Sequence, residues 1–88
     1  MMFLLSSTYD CFKFDTYSCA EVLGIFSTFD KANNALKTKL HERKLDEKTG
    51  KEEKHGNLYT ITFNHPNEIE CYTIQEIETD TILEYLQL

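Results

Sequence analysis

The sequence has few of the residues that cross-link a small fold, cradle a phosphate or carry a membrane span. Its three glycines lie far apart, at positions 24, 50 and 56, so no glycine-rich phosphate-binding loop is present. It has no tryptophan, a single proline, and no apolar run near the roughly 20 residues that cross a bilayer. These absences favour a cytoplasmic protein that needs no cofactor.

Cysteine is also scarce, and its spacing excludes two common uses. The three cysteines are an odd count without a Cys-x-x-Cys pair, and no histidine stands at a recurrent ligand spacing from another. We therefore expect reduced thiols, no disulfide framework and no metal site. A small enzyme with a cysteine nucleophile and a histidine base stays open as an alternative, with candidates Cys11, Cys19 and Cys71 and bases His41, His55 and His65.

Positive charge is absent from the last third of the chain. Nine Lys and Arg residues balance nine Asp and Glu residues from Met1 to Lys54, whereas residues 55–88 contain six acidic residues and no basic one. The net charge of −6 comes entirely from this part. Such a field repels phosphate backbones and anionic lipids, so we expect no binding to nucleic acid or membrane, and a basic protein is the complementary partner.

What the sequence does contain is enough apolar surface for one core. With 88 residues, 41% of them hydrophobic, it predicts a single domain. Residues 2–9 are apolar and favour a strand, followed by a connection to about residue 20. Residues 21–26 are typical of a strand buried on both faces, with Gly24 marking a bulge or a close backbone neighbour.

A helix is predicted to follow this second strand. Ser27 and Thr28 offer N-cap hydroxyls, and Asp30 stands three residues after Ser27 as in a capping box. Apolar residues then recur at spacings of three and four, which predicts an amphipathic helix that ends near Lys44. Its apolar stripe consists of Phe29, Ala32, Ala35, Leu36 and Leu40.

The remainder predicts a mobile charged loop and a hairpin. Residues 45–57 are mostly charged and form the expected loop. Residues 58–63 alternate as a strand, Pro66 and Asn67 suit the centre of a type I turn, and residues 69–77 return as a second strand. The parity of apolar residues shifts along 69–77, which indicates either a bulge or apolar contacts on both faces.

These elements predict an α+β fold: a small antiparallel sheet in the order β-β-α-β-β, with one main helix packed on one face. After Asp80 the last residues suit either a short helix or an edge strand, and periodicity over so few residues leaves both open.

One stretch resembles a diffuse group of small uncharacterised bacterial and viral proteins. In that group a strand ending in Gly-Ile-Phe/Tyr-Ser-Ser/Thr enters a helix with alanines three apart, and a closing strand ends in Asp. The matching residues are Leu23, Gly24, Ile25, Phe26, Ser27, Thr28, Ala32 and Ala35, then Tyr72, Ile74 and Asp80. The resemblance covers about a third of the chain and implies a β-β-α-β architecture without an activity.

The acidic residues of the last third have two readings. Residues two apart on a strand share a face, so Glu68 with Glu70, or Glu76 with Glu78, would place paired carboxylates together. Glycoside hydrolysis would need such a pair on either side of a cleft. The simpler interpretation is that these carboxylates lie on a solvent-exposed face of the sheet. We favour a surface role, in which an acidic face docks a basic protein through Glu68, Glu70, Glu76, Glu78 and Asp80.

A second contact surface is suggested by the aromatic connection between the first two strands. Phe12, Phe14 and Tyr17, together with an exposed sheet edge, would support homodimerisation by strand addition. The sequence thus predicts a non-enzymatic, cytoplasmic interaction or regulatory protein with a protein partner. The alternatives are a small Cys/His-dependent enzyme and a structural subunit of a homo-oligomer.

Overall fold

The computed structural model describes residues 1–12 and 17–78. Within them the chain forms a five-stranded antiparallel sheet and one α-helix, in the order β-β-α-β-β-β, which confirms the predicted α+β class. The elements are β1 Met2–Cys11, β2 Tyr17–Phe26, α1 Phe29–Glu42, a 3₁₀ turn Glu47–Thr49, β3 Lys51–His55, β4 Leu58–His65 and β5 Glu68–Ile77.

The spatial order of the described strands is β2-β1-β5-β4-β3, so β5, the last of them in sequence, lies in the middle. It pairs with β1 along its whole length and with β4 over residues 68–75, in both cases without a register shift. Tyr72 and Ile74 are buried on the face toward α1, whereas Ile69 and Cys71 have the opposite parity and are half-buried on the other face. Because the register is unbroken, the bulge interpretation is wrong, and apolar contacts on both faces stay a prediction.

The helix begins where its cap residues predict. Thr28 is the N-cap, and its side-chain oxygen accepts a hydrogen bond from the Lys31 N–H at 3.2 Å. At the other end, Lys44 N–H donates to His41 O and Leu45 N–H to Leu40 O, the hydrogen-bond pair of a Schellman motif. This motif needs a left-handed residue, and here Lys44 adopts it with φ of 58°.

The core lies between α1 and one face of the sheet. Ala32, Leu36 and Leu40 from the predicted stripe are buried there. They pack on the inward side chains of the three middle strands, where the largest buried residues are Leu5, Ile61, Phe63, Tyr72 and Ile74. Phe29, also assigned to the stripe, is only partly covered at the helix start, where its ring contacts Phe3 and Tyr59 edge to face.

The charged segment 45–57 was expected to be a loop, and the loop assignment is wrong because the segment contains regular structure. It contains the 3₁₀ turn and β3, whose five residues are all exposed. The strand is held by its ladder to β4 rather than by buried side chains, which is why hydrophobic periodicity does not reveal it. Leu45 packs on the core and anchors the start of the segment.

The second strand also differs from its prediction. It begins at Tyr17 rather than Glu21, and among the described elements it lies at an edge of the sheet, so it is not buried on both faces. The predicted irregularity near Gly24 is present, because the register with β1 shifts by one residue at Leu23. Asp80 and the predicted C-terminal helix or strand lie outside the described residues. No helix of the described part has the length and apolar character needed to cross a membrane.

Candidate functional site

One end of the helix-facing side of the sheet is polar. There Arg43 donates to Glu70 Oε1 from both Nε, at 2.9 Å, and Nη2, at 2.6 Å. His65 Nε2 lies 3.1 Å from the other carboxylate oxygen, Oε2, and Tyr9 donates a hydrogen bond to Glu68 Oε2. We call these five residues, Tyr9, Arg43, His65, Glu68 and Glu70, the polar cluster.

Local structure places each member of the polar cluster. The two-residue turn after His65 sets it directly opposite Glu68 on the neighbouring strand, and Glu70 follows two residues later on the same face. Tyr9 stands opposite Glu70 on β1. Arg43 is the C-cap of α1, so the end of the helix carries its guanidinium over the sheet.

Burial makes the central ion pair unusual. The Glu70 side chain is 5% exposed, whereas that of Arg43 is 47% exposed. A carboxylate so buried is retained only with partners, and this one has both a guanidinium and an imidazole. The hydrogen bond to Glu70, with the attraction of its charge, raises the pKa of the Arg43 guanidinium. Burial is the largest cause of a raised pKa at the adjacent Tyr72.

The predicted acidic docking face is divided by the structure. Glu70 is buried in its ion pair, so its carboxylate is not presented to a partner. Glu68 is half-buried and accepts the Tyr9 hydroxyl, which raises the pKa of Tyr9 to about 12. Glu76 is half-buried near the opposite end of β5, and Glu78 is exposed just beyond it. Asp80 lies outside the described residues.

The two edges of the described sheet differ in chemistry. The β3 edge has five residues, four of them Lys or Glu, and charged short strands of this kind resist pairing with another chain. The β2 edge has ten residues and a single charge, that of Glu21. Val22 is 57% exposed and Ile25 is 37% exposed. Both stand opposite even-numbered residues of β1, so the register shift brings them onto the same face, away from α1.

The predicted aromatic contact residues are only partly described. Phe12 is 52% exposed, and its N–H donates to Asn67 O at 2.8 Å, which ties the end of β1 to the β4–β5 turn. Phe14 lies outside the described residues, and of Tyr17 the structure describes the backbone, as the first residue of β2. Phe12 therefore stands at the end of the sheet, next to the start of the exposed edge.

The described hydrogen bonds of the candidate cysteine and histidine side chains are with other partners. Cys71 is half-buried, and its hydrogen-bonding contacts are with the Thr62 and Thr73 hydroxyls. His55 contacts Glu53, and His65 contacts Glu70. Among the hydrogen bonds of the described residues, none joins a cysteine to a histidine.

Sequence reasoning did not identify Arg43 or His65 as partners of Glu70. The signal for His65 was available, because a two-residue turn at Pro66 and Asn67 requires His65 to face Glu68 across the hairpin. Arg43 is 27 residues from Glu70 in sequence, and no local pattern joins them.

Comparisons of the chain with protein-family models, with curated proteins and with solved structures gave no match. The resemblance to small bacterial and viral proteins stays a prediction.

Proposed function

We propose that this chain is a small non-enzymatic interaction protein that binds an extended segment of a partner protein along β2. The observation that carries the proposal is the contrast between the two edges of the described sheet. One edge is short and charged, and the other is long, carries one charge and exposes two large aliphatic side chains. An unprotected edge strand supplies a row of backbone donors and acceptors to which a partner strand adds.

The chemistry of the edge defines the partner segment. Alternate side chains of an added strand would pack beside Val22 and Ile25 on the face away from α1, so this segment carries apolar residues on that face. Glu21 is the one charged residue of β2, and the whole chain carries −6. A segment with Lys or Arg on its other face is therefore favoured over an acidic one.

A test uses the purified chain to capture partners from its native host, followed by quantitative mass spectrometry. Val22→Lys with Ile25→Lys places two charges on the edge, as natural edge strands do to prevent pairing, and should abolish capture of a stoichiometric partner. Both side chains are exposed, so the variant should fold as the wild type does, which far-UV circular dichroism checks. Backbone hydrogen exchange should then locate slowed amides in β2 when the partner is bound.

A matched variant separates this mode from docking on the acidic residues. Glu78→Lys reverses an exposed charge outside the β2 edge and should leave capture unchanged. Glu70→Lys is unsuitable for this purpose, because the side chain is buried against Arg43 and the variant would unfold. Capture that is lost with Glu78→Lys and kept with the β2 variant would replace strand addition by acidic docking.

The homo-oligomer alternative is decided by the mass of the chain in solution. A dimer by light scattering that becomes monomeric with Val22→Lys and Ile25→Lys would identify a second copy as the strand that adds to β2. The excess negative charge on each copy disfavours that arrangement, so we expect a monomer.

A further inference from the structure

We propose that His65, Glu68 and Glu70 form a binding site for a divalent transition-metal ion, with Zn²⁺ as the representative. One ligand atom from each of the three side chains lies within 4.8 Å of the other two. The set is one imidazole nitrogen and two carboxylate oxygens, a combination that suits zinc and its neighbours in the first transition row. All three residues belong to the β4–β5 hairpin, where paired strands fix their relative positions.

Hydrogen-bond donors outside the proposed ligand set hold the two carboxylates, as residues around a protein metal site hold its ligands. Arg43 donates both of its hydrogen bonds to Oε1 of Glu70, and Oε2 of the same carboxylate lies next to His65 Nε2. Tyr9 donates a hydrogen bond to Oε2 of Glu68, and the other oxygen of that carboxylate has no hydrogen bond among the described residues. Each carboxylate thus has one oxygen held by a residue outside the proposed ligand set, which is the usual arrangement around a bound ion.

Charge favours a cation at the same place. Glu68 and Glu70 bring two negative charges, and of the described Lys and Arg residues only Arg43 lies within ion-pair distance of either carboxylate. Arg43 compensates one of these two negative charges, and no described Lys or Arg compensates the other. A divalent ion between the three ligands would attract this charge directly, at a place where burial of Glu70 reduces solvent screening.

The geometry needs little adjustment to hold an ion. Ligands about 2.0–2.2 Å from a tetrahedral zinc lie about 3.3 Å apart, and His65 Nε2 and Glu70 Oε2 are already 3.1 Å apart. A ligand atom of Glu68 lies within 4.8 Å of both, so a small movement of this carboxylate brings it into the coordination sphere. The His65 side chain is 33% exposed, so an ion reaches the site from solvent, and water completes its coordination.

The experiment is calorimetric titration of the metal-free full chain with Zn²⁺, together with absorption spectra of the Co²⁺ form. His65→Gln and, separately, Glu68→Gln should each weaken binding by at least about 10-fold. Glu68→Gln leaves the Arg43–Glu70 pair in place, so it tests the site even if another variant is destabilised. The matched control is His55→Gln, which removes an exposed histidine whose side chain hydrogen-bonds Glu53 in the described structure, and it should change affinity less than about twofold.

Cysteines are the competing ligands, and Cys11 stands opposite Glu68 on β1. The Co²⁺ spectrum should therefore lack thiolate charge-transfer absorption, and Cys11→Ser should retain binding. The proposal is overturned by no heat of binding at about 1 mM Zn²⁺, by unchanged affinity in both His65→Gln and Glu68→Gln, or by a thiolate band with loss of binding in Cys11→Ser.

Discussion

Arg43→Met should be among the most destabilising changes of any charged residue in this protein, because it leaves a buried carboxylate without its main partner. Glu70 has a side chain that is 5% exposed and receives two hydrogen bonds from the guanidinium. Breaking a fully buried ion pair costs about 3–5 kcal/mol. Arg43 itself is 47% exposed and His65 still contacts Glu70, so we expect about 2–3 kcal/mol.

A variant of Glu70 and the double variant test whether the two charges stabilise the fold as a pair. Glu70→Gln keeps the shape of the side chain and releases Arg43 toward water, so it should cost about 1–2 kcal/mol. Arg43→Met with Glu70→Gln removes both charges and should cost at least about 1 kcal/mol less than the two single changes together. A domain of this size has a free energy of unfolding of about 4–13 kcal/mol, so each variant should remain folded.

The assay is urea unfolding followed by far-UV circular dichroism, since the chain has no tryptophan. Measurements are made with a chelator, so that metal binding does not add to stability. Lys39→Met is the matched control, because Lys39 lies on the same helix, forms no ion pair among the described residues, and should change stability by less than about 0.5 kcal/mol. Additive single effects, or a cost for Arg43→Met no larger than that control, would refute the reasoning.

Three further predictions concern two backbone positions and one tyrosine. Lys44→Gly should raise the free energy of unfolding by about 0.5–1 kcal/mol in urea melts, because glycine adopts the left-handed C-cap conformation, φ of 58°, without steric cost. Gly50→Ala should lower it by about 1–3 kcal/mol, because the new Cβ would lie 2.6 Å from Cγ1 of the buried Ile61. Burial and a hydrogen bond to Glu52 raise the pKa of Tyr59 to about 12, above its usual value of 10. Because the folded state holds the Tyr59 proton more tightly than the unfolded state, the raised pKa stabilises the fold below pH 10, and this stabilisation is lost as the pH rises toward 12. Urea midpoints measured along that range should therefore fall less steeply for Tyr59→Phe than for the wild type.

Each of these predictions has a control or an opposing outcome. Lys48→Gly lies in the 3₁₀ turn and should destabilise, so stabilisation by both lysine variants would point to a general charge effect. Gly50→Ala combined with Ile61→Val should cost less than the sum of the two, and strict additivity would exclude a clash. An ultraviolet titration in which Tyr59→Phe removes a tyrosine ionising near pH 10 would contradict the assigned pKa.

Local patterns in the sequence determined most of the secondary structure. Cap residues and apolar spacing located the start of α1 and its buried stripe, because helix periodicity and N-cap hydrogen bonds involve neighbours a few residues apart. Alternation around Pro66 and Asn67 located the β4–β5 hairpin for the same reason. The class of fold followed from these elements, since one amphipathic helix and several half-buried strands must cover each other.

Only the tertiary structure decided which strand is central, which is exposed, and which charges are paired. Residues 21–26 look like an interior strand in sequence, yet they lie at an edge of the described sheet, because strand order depends on contacts between distant segments. β3 exists through its backbone ladder to β4, which side-chain periodicity does not encode. Glu70 looked like a surface carboxylate, and it became the buried partner of Arg43 only when the end of α1 packed over β5. The proposed binding edge and metal site both depend on that long-range arrangement.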